Sequence, residues 1–327
     1  MFAASAKAFR GTLAVVLAVG PAVSSAQEWP SKPFRFIVPS VAGASSDVAA
    51  RVMGERLAAK WKQPVVVDNR PGAGTMIATD AVAKAPPDGY TFGWVIGAHA
   101  VNPSLYAKQP FDTVKDLAGV TLVYQLKPVI VVAPSLPVAT VDDLIALAKA
   151  RPGQLTFASP ATGTSMHLIG ELLKLKHGLD MQHIGYKGGT AAHADVISGR
   201  VPVMIDALPN ALPHIRSGKL KLLAVLSDGP VPGFPNFPVL SGLVPKGAVV
   251  GWNGIVVPAK TPRAIVARLN ADLIEVIRSP EVQERCASYS VQTITSTPEE
   301  FDAFIREDIA RWADVIKRSG IKLEHGN

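Results

Sequence analysis

The chain has 327 residues, 48% hydrophobic and 18% charged, long enough for two domains and apolar enough to bury a large core. Disorder of the whole chain is excluded at that composition. The formal charge of +7 is spread out, with no Lys/Arg run interleaved with aromatics, so nucleic acid is not an expected partner.

Lys7 and Arg10, the apolar stretch 11–23 and the small residues Ser24-Ser25-Ala26 make the pattern of a cleavable secretory signal peptide over residues 1–26. Its apolar core of about 13 residues is short for a bilayer crossing. Removal lowers the charge from +7 to +5, and the expected destination is the periplasm. No cysteine lies near the cleavage point to carry a lipid anchor. No later stretch of about 20 residues is uniformly apolar. Cys286 stands alone, so an internal disulfide is not expected and stability must come from burial.

After a polar lead-in, residues 34–39 read as a short buried strand that Pro39 closes. Residues 40–46 are almost free of bulk, and an amphipathic helix follows, with Ser46 or Asp47 as its cap. Strand, small loop and helix start suit an anion, because the first helical N–H groups lack internal partners and the dipole is positive there. The same pattern also fits an ordinary βα turn. Residues 63–68 form a second strand, 69–74 a turn and 75–84 a helix. Residues 90–96 form a third strand, followed by 97–103. This alternation predicts a parallel sheet covered by helices.

The stretch 120–133 is strongly β-forming but broken at Lys127-Pro128, and it reads as a crossover between domains. A second α/β series begins with Thr140 capping a helix over 141–150. Then come a strand over 155–158, a loop over 160–165, a helix over 166–177 and a strand over 182–186. A turn at 187–189, a helix over 190–198, a strand over 201–205 ending at Asp206, a short helix over 211–217 and a strand over 221–226 complete it. Residues 229–245 are rich in Pro and Gly. Residues 251–258 return as an extended segment, Thr261-Pro262 opens a helix to 277, Pro280 opens a shorter one, and 291–295 form a short strand. Thr297-Pro298-Glu299-Glu300 caps a C-terminal helix over 301–317. The second strand–loop–helix unit matches the first. One in each domain would let two helix N-termini converge on one carboxylate.

Sequence anchors spaced along the mature chain carry a family resemblance. They are Val38-Pro39, Gly43, Asp47, Ala50-Arg51, the run 69–74, the run 82–91, residues 102–106, His167-Leu168, Tyr186-Lys187-Gly188, and Val256 and Pro258 before Pro262. In order and spacing the chain resembles extracytoplasmic solute receptors of the Bug family, the binding components of tripartite tricarboxylate transporters. The resemblance implies an α/β fold of the two-lobed Venus-flytrap type, with the ligand cleft between lobes. Lobe 1 would comprise 27–126 and 250–327, and lobe 2 would comprise 127–249. It further implies a small carboxylate ligand, a monomeric receptor and membrane transporter components as partners.

Carried onto this chain, the first ligand loop is Ser40, Val41, Ala42, Gly43, Ala44, Ser45, Ser46 and Asp47. The second contains Ser159, Ala161, Thr162, Gly163, Thr164 and Ser165. His99, Asn102, Tyr186, Lys187, Gly188 and Asp206 would line the rest. One departure is visible: adjacent glycines are common in the family's first loop, and here the pair is Gly43-Ala44, with Ser45 and Ser46 adding hydroxyls.

Several of these residues have two readings. Asp47 either caps the helix, pairing with Arg51 one turn on, or meets a ligand amine. Tyr186 is cleft wall or core, and Asp206 is cleft or turn. His167 and Glu171 have metal-ligand spacing, but with no third ligand nearby a structural histidine is expected. Trp252 is expected to pack at the lobe junction. Gly72-Ala73-Gly74 lacks the third glycine of a dinucleotide fingerprint, and there is no Walker A or Gly-x-Ser-x-Gly sequence. No catalytic residue, metal or cofactor is therefore assigned. A sensor subunit for a signalling partner and a periplasmic hydrolase are the alternatives.

Overall fold

A computed structural model describes residues 29–186, 188–244, 250–288 and 291–321. The expected signal peptide lies outside them, as does Lys187. From Lys32 onward the chain forms one unit. The elements run β1 (Phe34–Val38), α1 (Ser45–Trp61), β2 (Val65–Asn69), α2 (Met76–Ala83), β3 (Thr91–Ile96), α3 (Ala98–Leu105) and β4 (Leu117–Gln125). Then follow β5 (Pro128–Val132), α4 (Val141–Ala150), β6 (Leu155–Ser159), α5 (Ser165–His177), β7 (Met181–Gly185), α6 (Gly189–Ile197) and β8 (Val203–Ala207). The chain continues through α7 (Leu208–Arg216), β9 (Lys221–Leu226), β10 (Val239–Leu240), β11 (Trp252–Pro258), α8 (Arg263–Ile277), α9 (Pro280–Ser288), β12 (Gln292–Thr293) and α10 (Pro298–Ser319).

Two six-stranded mixed sheets result, ordered β12-β4-β11-β3-β1-β2 and β10-β9-β5-β8-β6-β7. This is the expected two-lobed α/β architecture, one sheet to each lobe. The chain leaves the first sheet at the end of β4 and enters the second at β5. The break is Lys127-Pro128, where the missing proline N–H ends one strand's ladder and a new one begins. The chain re-enters the first sheet at β11, and Leu126 N–H donates to the Gly251 carbonyl at 3.0 Å, tying the two crossings together.

Strand direction decides where the loops go. In the first sheet β1 is parallel to β2 and β3, and β11 is antiparallel to both β3 and β4. The C-terminal ends of β1, β2, β3 and β4 therefore share one edge, the edge from which β4 crosses over. In the second sheet β5 starts from the crossover and is antiparallel to β8, which is parallel to β6, itself parallel to β7. The C-terminal ends of β6, β7 and β8 thus also lie at the crossover edge. Ligand sites of open α/β sheets form outside such strand ends.

The core is continuous across the crossover. One buried cluster includes Ile37 and Val95 of the first sheet, Trp252 at the junction, and Met166, Phe157 and Ile205 of the second. Helices α10 and α5 pack against each other. As expected, Trp252 packs here: it is 1% exposed and its indole N–H donates to Asp308 Oδ2 at 2.7 Å. Both threonine caps form as read. Thr140 with Asp143, and Thr297 with Glu300, make reciprocal capping boxes.

The sequence reading gives 97–103 no element and starts the short helix before β9 later than the structure does. Residues 98–105 are helical despite Pro103, because the proline falls in the last turn, where losing one ladder bond costs little. Buried Ala98, Ala100, Val101 and Leu105 stabilise this helix, which packs against α10. Helix α7 starts at Leu208 rather than 211, with Pro209 in its first turn, where a missing N–H has no consequence.

Candidate functional site

The first loop, 39–44, leaves β1 and feeds α1, whose N-cap position is Ala44 with no side-chain cap. The N–H groups of Ser45, Ser46 and Asp47 precede the first helical bond, Val48 N to Ala44 O, and so have no helical acceptor. Asp47 is not the cap. It is the third helical residue, 2% exposed, and its carboxylate turns back to brace the loop. Oδ2 accepts from Gly43 N at 2.8 Å and Arg51 Nε at 3.1 Å, and Oδ1 accepts from Asn69 Nδ2 at 2.9 Å. Asn69 also donates to the Ser40 carbonyl, and the Ser40 and Ser46 hydroxyls pair at 2.7 Å. Burial raises the Asp47 carboxyl, but Arg51 and the Gly43 and Asn69 donors outweigh it and hold the group below the usual carboxylate range. With its oxygens occupied, Asp47 shapes the loop rather than offering itself to an amine. Val41 projects outward, 61% exposed.

The second loop, 160–164, leaves β6 and feeds α5. Thr164 caps it, its Oγ1 accepting from His167 N at 3.5 Å. Ser165 N and Met166 N precede the first helical bond, Leu168 N to Thr164 O. The loop is braced from below: Ser159 Oγ and Thr164 Oγ1 both donate to the Ala161 carbonyl, at 3.0 and 2.8 Å. Gly163 N donates to His167 Nδ1 at 3.1 Å. Thr162 rests on Gly185, where an added Cβ would come within 2.0 Å of Thr162 Oγ1.

These loops meet the same edge of the first sheet. Ser165 lies beside Gly97 at the end of β3, where a Cβ would be 3.4 Å from Ser165 Oγ. The Ser45 side chain hydrogen-bonds the Tyr124 hydroxyl on β4. Ile96 and Tyr124 both face Asn253 of the intervening β11. Both small-residue loops, and the helix starts behind them, therefore lie together at the crossover edge of the first sheet. Among the described residues of the loops that follow β1–β3 and β6–β8, Arg70 is the only Lys or Arg, and Asp68 holds its Nε at 3.0 Å. An anion here is met chiefly by amides and helix dipoles.

The remaining candidates are dispersed by the structure. His99 does not reach that edge. It is 2% exposed and lines a small pocket of about 10 Å³ with Gly119, Val256, Asp302 and Arg306, towards the opposite end of β4. Burial pushes its imidazole down to about 4. The reason is α3: the helix turns the residue away from the strand end on which a loop would have displayed it. Asn102 is buried and donates to the Gly74 carbonyl at 2.8 Å, holding the loop after β2. The Tyr186 hydroxyl donates to Asp195 Oδ2 at 2.7 Å; burial and the Asp195 carboxylate push it up to about 12. Gly188 adopts φ +115°, open to glycine alone, and its N–H donates to the Pro160 carbonyl, tying the turn before α6 to the second loop. Asp206, fully buried, accepts from His193 Nε2 at 2.7 Å, Ala207 N at 2.7 Å and Asn210 Nδ2 at 3.3 Å.

Sequence reasoning passed over His183 and His193. His183 lies on β7 and stacks on His167, ring centroids 3.7 Å apart. A histidine inside a strand between Gln182 and Ile184 carries no local signal, and only the pairing of β6 with β7 brings it beneath the loop.

The sequence profile described as "Tripartite tricarboxylate transporter family receptor" matches residues 49–321. The chain belongs to this family. Protein BugT of Bordetella pertussis is 38% identical over 303 residues, covering 92% of this chain and 93% of BugT. The structure of R. palustris Rpa4515 with adipate superposes with a TM-score of 0.81 at 31% identity, covering 90% of this chain and 99% of that one. MatC from Rhodopseudomonas palustris with bound malate gives 0.77 at 26% identity, covering 88% and 100%. Members of the family are periplasmic solute-binding proteins.

Proposed function

We propose that this receptor binds a small organic acid between its lobes and hands it to the membrane components of a tripartite tricarboxylate-type transporter. The carboxylate sits between the free amides of Ser45, Ser46 and Asp47 and those of Ser165 and Met166. The observation that carries this is the shared edge: two uncapped or threonine-capped helix starts border it, with no free Lys or Arg among the described residues of the loops that follow β1–β3 and β6–β8. The relatives that hold adipate and malate support a dicarboxylate as the ligand class. Lobe 1 comprises 27–126 and 250–327, lobe 2 comprises 127–249, and residues 1–26 direct export to the periplasm, where the receptor acts as a monomer. Lobe closure over the ligand gives the partner a form to recognise.

A thermal-shift panel of di- and tricarboxylates, amino acids and aromatic acids tests the reading. A ligand at a hundredfold its Kd stabilises by about 2.7 kcal/mol, which raises Tm by roughly 4 °C. Failure of every acid to raise Tm overturns it.

A further inference from the structure

We propose that His167 and His183 are positioning residues: stacked on each other, they fix the backbone of the 160–164 loop in the form that receives the carboxylate. This deepens the function proposed above and rests on it for its effect on affinity, but not for its structural content.

The two rings lie 18° from parallel with centroids 3.7 Å apart, and Phe157 flanks His183 at 4.9 Å. Each ring reaches the loop through one hydrogen bond. Gly163 N–H can only donate, so His167 Nδ1, at 3.1 Å, must be its acceptor and bare of a proton. Ser159 Oγ spends its proton on the Ala161 carbonyl. It therefore accepts from His183 Nε2–H, 2.8 Å away. The tautomers follow: both neutral rings carry their proton on Nε2. Between them they hold Ser159, Ala161 and Gly163, a residue at the loop's root and two within it. Gly163 itself sits at φ +79°, so its amide direction is set and not averaged.

A proton on either ring breaks this arrangement. On His167 it would face N–H against N–H at Gly163. On His183 it would place a cation against a stacked partner. Helix α5 packs against β6, β7, β8 and α10. The charged groups facing the rings are each other, Lys174 and buried Glu171, whose Oε1 lies 3.8 Å from His167 Nε2 while its Oε2 is neutralised by Lys174 at 2.8 Å. Asp206 of β8 is engaged by His193, and buried Asp308 of α10 by Trp252 and Arg311, so neither is free to offset a charge here. Burial first, then Lys174, pushes His167 down to about 4. Burial, then His167 and Lys174, pushes His183 down to about 3. The loop thus keeps its form through neutral pH and loses it in acid.

The test uses the mature, ligand-free chain. Long-range proton–nitrogen spectra of the histidine side chains should show both rings protonated on Nε2 alone from pH 8 to about 5. An Nδ1–H form of His167, or a titration of either ring near the unperturbed value of about 6.5, overturns the proposal. Hydrogen exchange supplies the second readout. H167A should speed exchange at Gly163 roughly three- to tenfold, the worth of one neutral hydrogen bond, with the rest of the chain protected as before. H167N, whose amide oxygen can accept the same N–H, should restore that protection. Uniformly faster exchange in both variants means a purely structural role and refutes positioning. Finally, Kd for adipate and malate should rise about tenfold or more for H167A. If neither acid binds the wild-type chain, the dicarboxylate reading fails, while the tautomer and exchange results still decide the positioning role.

Discussion

Replacing Asp47 with alanine should loosen the first loop without touching a ligand atom. The carboxylate is the acceptor for Gly43 N at 2.8 Å and Asn69 Nδ2 at 2.9 Å, at a residue only 2% exposed. Each bond to the ionised carboxylate contributes about 1.5–3 kcal/mol, so the loss is about 3–6 kcal/mol. Arg51 is half exposed, and solvent screening makes its share small. For a chain of this size, a loss of about 3–6 kcal/mol lowers Tm by roughly 5–10 °C. Affinity should fall further than that loss alone implies. Binding must then order the residues around Gly43 afresh, at about 1–2 kcal/mol of backbone entropy for each one fixed. The assay is scanning calorimetry of D47A and R51A beside wild type, with calorimetric titration of the acid that shifts Tm most. R51A should melt close to wild type and bind with similar affinity. D47A melting with wild type would refute the hydrogen-bond account of the loop. D47A losing stability but keeping full affinity would refute the claim that Asp47 prepares the loop for its ligand.

Further outcomes follow from other contacts. Gly185→Ala should push Thr162 aside, since the new Cβ would sit 2.0 Å from its Oγ1, weakening ligand binding at least tenfold with little change in urea midpoint. Unchanged affinity would show that Thr162 and its loop neighbours have slack. Gly254→Ala puts a Cβ 2.2 Å from the Phe301 ring, and overpacking at that buried site should cost about 1–3 kcal/mol in urea unfolding. Trp252→Phe strips Asp308 Oδ2 of its 2.7 Å donor in the junction core and should cost about 2–3 kcal/mol, read by the same method. Buried His99, His167 and His183 are held below their usual value, at about 4, 4 and 3. The unfolded chain therefore takes up protons below pH ~6.5 that the folded chain refuses, and stability should fall from pH 6.5 towards pH 4. Each ring contributes up to about 2 kcal/mol by pH 5. A flat urea midpoint between pH 7 and 5 would contradict their burial as neutral groups.

The sequence showed most where one residue type has one structural use. Lys127-Pro128 inside a β-forming run marked where the chain changes sheets, because proline cannot continue a ladder. Thr140 and Thr297, each followed three residues later by an acid, marked two helix caps, although the second helix begins at Pro298 rather than 301. The small-residue loops were placed at strand ends by the same logic, and strand direction then set both at the crossover edge. What stayed hidden depends on contacts between distant segments. Ala98 to Leu105 carries no helix signal because Gly97, Asn102 and Pro103 are poor helix formers, yet packing on α10 outweighs that preference. That helix then turned His99 inward. Asp47 reads as a cap or an amine ligand and Asp206 as cleft or turn, because nothing local predicts Asn69 or His193 as their partners. The stacked histidines come from α5 and β7 and meet only once β7 pairs with β6.

A crystal structure of the receptor with its tightest-binding acid tests the central claim most directly. The carboxylate oxygens should lie about 2.7–3.2 Å from amide nitrogens of 45–47 on one side and 165–166 on the other, directly or through one bridging water. A carboxylate held instead by a side-chain cation such as Arg70 or Lys187, with those amides facing bulk solvent, would contradict it.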